Sequence, residues 1–177
     1  ENKIAFVFVQ LGERGARLAG GSRSASMSQL RAALDDAMAY PARYDGPLEG
    51  DALPRRDAAA LAPAARGQMP IVIAADRASD LLKIIELKKD YGGVDIIIAG
   101  ASEGWMVAEE LEDNFIRVMI DPHENLPDSF DRVGARLDNA KLLHDAGVEF
   151  AITTRSAGVS HNIRVLNQHA GNSVAAG

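Results

Sequence analysis

Residues 70–82 read PIVIAADRASDLL, and this stretch decides the fold. Ile71–Ala75 is apolar without a break, where a strand with one wet face would alternate, so it reads as a strand buried on both sides. Directly after it, Ala78, Leu81, Leu82 and Ile85 recur at helical spacing, with Lys83, Glu86, Lys88, Lys89 and Asp90 largely on the other side. A buried strand followed at once by an amphipathic helix is the unit of a parallel sheet covered by helices. Gly92-Gly93 is expected to stop that helix with a left-handed cap.

The same unit repeats outward. Ile4–Val9, Asp95–Gly100, Ile116–Ile120 and Glu149–Thr153 are the other four candidate strands. Short helices are expected around Trp105–Leu111 and over Ala135–Ala146, and a last one from about His161 to Val174 behind a Ser160 cap. Strand starts at 71, 95, 116 and 149 fit the spacing of βαβ units. Gly12, Gly15, Gly20 and Gly21 suggest a glycine-rich loop, and Ser24–Tyr40 one amphipathic helix. Pro41–Gly67, with four prolines, suggests irregular or short helical packing. The expected organisation is therefore residues 1–69, with the first strand, glycine loop, helix and Pro/Ala segment, and residues 70–177, with four βα units. The fold class is α/β. A closed eight-stranded barrel takes about 250 residues, so five strands in 177 residues leave either an open doubly wound sheet or part of a barrel.

Composition narrows the function classes. With 19 basic against 25 acidic residues the net charge is −6, and no Lys/Arg cluster offers a nucleic-acid surface. No apolar run approaches the ~20 residues of a membrane span, and the first residues have no signal-peptide pattern. The absence of cysteine removes disulfides and thiolate chemistry and fits a reducing compartment, so the expected location is cytoplasmic. The dinucleotide fingerprint, the phosphate loop, the Gly-x-Ser-x-Gly elbow and His-x-His are all missing. A flavodoxin-like receiver or nucleotide-binding domain is the weaker reading for that reason.

In either architecture ligands bind where strands run out into helices. The candidate ligand-binding residues there are Asp76, Arg77, Glu103, Asp121, His123, Arg155, His161 and Asn162. This rim of mixed charge suits a small polar ligand. Each residue also has a plainer role. Asp76 precedes a helix and would N-cap it. Glu103 would gain from a helix dipole. His123 would be a solvated loop histidine, and Arg155 a salt-bridge partner of Asp76, Glu103 or Asp121. No catalytic residue is assigned.

Five blocks carry a family resemblance: residues 70–80 (PIVIAADRASD), 99–111 (AGASEGWMVAEEL), 121–130 (DPHENLPDSF), 134–140 (GARLDNA) and 161–175 (HNIRVLNQHAGNSVA), with a fainter echo in 8–15 (FVQLGERG). Together they resemble the C-terminal half of a bacterial amidohydrolase-superfamily protein of the imidazolonepropionase-related, metal-dependent group. The resemblance implies a (β/α) TIM-type barrel; with about five parallel strands and outer helices the chain is expected to form a partial one, completed by a second half barrel or by homo-oligomerisation. The resemblance also implies hydrolysis of carbon–nitrogen bonds other than peptide bonds, with zinc or another divalent metal at the strand ends. The family's histidines would fall near Ala74 and within Ala99–Ala101, and its aspartate at Thr154 or Arg155. This chain is therefore expected to hold no metal by itself, and the alternative is a non-catalytic ligand-binding or scaffold module built on the same barrel.

Overall fold

A computed structural model of the chain describes residues 5–46, 53–154 and 165–177. Five strands form one sheet: β1 (Val7–Gln10), β2 (Ile71–Ala75), β3 (Ile96–Gly100), β4 (Arg117–Ile120) and β5 (Phe150–Ile152). Their spatial order is the chain order, and every neighbouring pair is parallel. This order settles the architecture. A doubly wound sheet reverses direction at a switch point. An unreversed run of right-handed crossovers keeps stepping the same way and leaves its helices on one face, as in a barrel.

The burial pattern agrees. Ile71, Ile73, Ala75, Ile96, Ile98, Val118 and Ile120 belong to the core shared with the helices. The alternate residues, Val72, Ala74, Ile97, Ala99 and Met119, point to the other face by the two-residue period of a strand. That face is the interior side of a barrel sector. At the edges Phe8 is 55% exposed and Phe150 half-buried, because each edge strand has one neighbour only.

Seven α-helices are present among the described residues: α1 (Gly12–Leu18), α2 (Arg23–Met38), α3 (Arg55–Ala65), α4 (Ala78–Asp90), α5 (Ala108–Asp113), α6 (Asn139–Asp145) and α7 (Leu166–Ala175). Short 3-10 turns cover Ala42–Tyr44, Gly104–Val107 and Pro122–Glu124. Several expectations are corrected. The glycine-rich loop is helix α1 up to Leu18. Gly15 serves close packing there, since a Cβ on it would fall 2.2 Å from the Gln10 carbonyl oxygen. The Pro/Ala segment contains α3, whose buried Ala58, Ala62, Ala64 and Ala65 make a smooth face. Pro63 sits inside that helix. No left-handed cap follows α4, because neither Gly92 nor Gly93 has a positive φ. The helix expected from Ala135 begins at Asn139, and α7 begins at Leu166; Ser160 lies outside the described residues.

Candidate functional site at the strand carboxyl ends

Asp76 leaves β2 into α4 and is 8% exposed. Its Oδ1 accepts from the Ser102 hydroxyl at 2.7 Å and from the Ser102 amide at 3.4 Å. Its Oδ2 lies 3.7 Å from Arg132 Nε. Asp76 does not cap α4. That role falls to Glu103, which approaches from the next strand: its Oε2 accepts from the Ala78 amide at 2.9 Å, and its Oε1 from the Gly134 amide at 2.8 Å. One buried carboxylate thus neutralises an orphan helix donor and holds a distant loop. Arg77 is exposed at the start of α4, its charge acting on Asp80.

At the end of β4, Asp121 is buried, and its Oδ1 accepts from the His123 amide at 3.1 Å. His169 of α7 brings Nδ1 to 3.3 Å from the same oxygen, ion-pair distance when the ring is protonated. The exposed His123 ring stacks on His169, with centroids 5.5 Å apart and planes 15° off parallel. Arg155, His161 and Asn162 lie outside the described residues. Asp76 and Glu103 are brought together, while Asp121 and His123 form a second group.

The segment from Asn125 to Asp138 runs back from the end of β4 across the ends of β3 and β2 to β1. Beyond the Arg132 and Gly134 contacts, the Trp105 indole N–H donates to the Gly134 carbonyl at 2.8 Å, and the Arg136 guanidinium lies 4.7 Å from the Trp105 ring centroid. Asp138 binds Arg136, and that hydrogen bond holds its carboxyl below the usual range. Asp131 Oδ2 accepts from the Glu13 amide at 3.0 Å at the start of α1. Its Oδ1 pairs with Arg23, whose other arm binds Asp80 on α4. Burial opposes the charge on Arg23, but the two carboxylates outweigh it and raise its pKa; burial in turn raises Asp80 despite Arg23. Residues 125–138, Trp105, Asn139 and His169 were not assigned from sequence. Their signals are the long loop after the fourth strand and the resembling blocks 99–111, 121–130, 134–140 and 161–175, in which most of them lie.

The metal set that the resemblance implies does not fit the described residues of this sheet. Ala74 and Ala99, adjacent in the β2–β3 register, occupy the interior-facing positions where its histidines would fall. Glu103 has both oxygens committed to backbone amides, and Asp76 is bonded to Ser102. Among the described residues no group of three His, Asp or Glu side chains is arranged to hold a metal ion. Nor is any helix among them long and apolar enough to cross a membrane.

No family model matches the chain, and no curated protein matches it. Among solved structures, the chain is similar to an amidohydrolase from Thermotoga maritima MSB8, with a TM-score of 0.82 and 16% sequence identity. The likeness covers 98% of this chain and 47% of that one, so the chain spans about half the length of its structural neighbour. At this identity it is the fold that is shared: five in-order parallel strands with outer helices, one part of an amidohydrolase-like barrel.

Proposed function

We propose that the chain is part of an amidohydrolase-type hydrolase of the imidazolonepropionase-related group, acting on carbon–nitrogen bonds other than peptide bonds. The observation that carries this reading is the likeness to an amidohydrolase over nearly the whole chain. In this reading the strand ends described above form the wall and cover of a site for a small polar substrate, and water-activating groups come from outside the described residues. The half-exposed edges at β1 and β5 pair with a second half barrel or with another copy of the chain. The setting is the cytoplasm, in keeping with a chain free of cysteine. The test is a screen of the intact protein against carboxamides, lactams and ureides, with bound metal measured in parallel. Turnover lost with Asp76→Asn and Glu103→Gln in still-folded protein supports the reading. A folded protein inert towards the whole panel, with and without added zinc, refutes it.

Ala74 and Ala99 favour a second reading: a non-catalytic module that binds a small polar ligand or serves as a scaffold on the same barrel. Turnover appearing when zinc is added to the intact protein would exclude it.

A further inference from the structure

Asn125 stands at the root of the segment that crosses the strand ends. Its side chain is 1% exposed, and neither Oδ1 nor Nδ2 has a hydrogen-bond partner. A buried carboxamide without a hydrogen-bond partner in the protein works against the conformation that buries it. The opposing force lies further along. Asp131 is held by the Glu13 amide and by Arg23, and Gly134 by Glu103 and Trp105. Along the segment Leu126, Phe130, Val133 and Leu137 are all more than half exposed, so little apolar burial holds it down. Arg132 adds a tie to Asp76; against these polar ties stand little buried apolar surface and one unsatisfied amide, the marks of an element of low local stability.

We infer that residues 125–138 form a strap that closes the carboxyl ends of the strands, latched by Arg23 through Asp131 and driven to lift by the unpartnered amide of Asn125. Lifting frees the Gly134 amide from Glu103, exposes Asp76 and Glu103 to solvent, and lets Asn125 find water. The strap therefore gates the rim, whether that rim serves catalysis or binding.

The two opposing roles give opposite signs in one experiment: hydrogen exchange of the intact protein, read by mass spectrometry on peptides covering 126–138 and, as control, 71–75 and 96–100. Arg23→Gln removes the latch and should speed strap exchange about tenfold or more, leaving the control strands unchanged. Asn125→Leu replaces the orphan amide by an apolar group of similar size and should slow strap exchange severalfold. Asp131→Asn keeps an acceptor for Glu13 while weakening the Arg23 arm, so it tests the latch if Arg23→Gln does not fold. Strap exchange unchanged in both latch variants overturns the proposal. So does faster exchange in Asn125→Leu, or acceleration of strap and control strands together.

Discussion

Glu103 Oε1 accepts the Gly134 amide at 2.8 Å, and a Cβ at position 134 would fall 3.2 Å from that oxygen and 2.3 Å from Met106 Cε. The two residues are 31 apart in sequence. Their contact joins the third strand's exit to the segment that leaves the fourth.

Glu103→Gln is expected to cost about 2–3 kcal/mol, because the new NH2 must face one of two backbone N–H donors that now share a carboxylate. Chemical denaturation of the two proteins side by side measures it. A loss under about 0.5 kcal/mol would mean that the carboxylate does not hold both amides.

Gly134→Ala should destabilise by about 1 kcal/mol, since the added methyl meets a flexible methionine end and the Glu103 carboxyl. Adding Met106→Ala should recover part of that loss, and a double-mutant cycle in thermal melts reads the coupling. Simple additivity would contradict the contact.

Gly15→Ala is the harsher glycine change. Its Cβ would lie 2.2 Å from a backbone oxygen of β1, and a backbone oxygen cannot swing aside. The expected cost is about 3 kcal/mol or more, seen as a large drop in melting temperature. Gly46→Ala, whose added Cβ meets nothing within 4 Å among the described residues, serves as the mild control.

Tyr91 gives a pH signature far from the strand ends. Burial first, and then its hydrogen bond to Asp35 at 2.7 Å, push its phenol up to about 12. An unfolded tyrosine ionises near 10, so folding favours the protonated form. The stabilisation is complete below about pH 10 and is lost as pH rises towards 12. Ultraviolet titration should show a late phenolate phase that Tyr91→Phe removes; a wild-type curve complete by pH 11 would count against the burial.

Asp76 binds Ser102 while facing Arg132. Asp76→Asn is expected to cost about 2 kcal/mol or more, since it keeps an acceptor but removes the charge beside a partly buried guanidinium. Ser102→Ala should cost about 1 kcal/mol. Urea unfolding ranks the two, and the reverse order would place the Asp76 charge outside the interaction.

Much of the fold was legible in advance. Ile71–Ala75 is placed to the residue and the next strand to within one, because an apolar run of five residues, too short for a helix and followed at once by an amphipathic helix, fits a strand covered on both faces. The α1 helix was illegible for the opposite reason. Gly12 and Gly15 are poor helix formers, and the contact that selects glycine at 15 is with the Gln10 carbonyl, which only packing brings near. The site was read less well. Asp76 has the local sequence of an N-cap, yet the Ala78 amide is taken by Glu103 from 25 residues away.

From sequence alone came the alternation of strand and helix and the parallel sheet it demands, set by local hydrophobic period and residue type; the alanines at 74 and 99 mark missing histidines only through the family resemblance. Tertiary structure decided that the strands run in unreversed order, that Glu103 caps a helix on another unit, and that residues 125–138 cross the strand ends to reach Arg23. Those outcomes depend on which distant groups meet once the sheet is assembled, and hydrogen bonds between residues 25 to 118 positions apart leave no periodic trace in the chain.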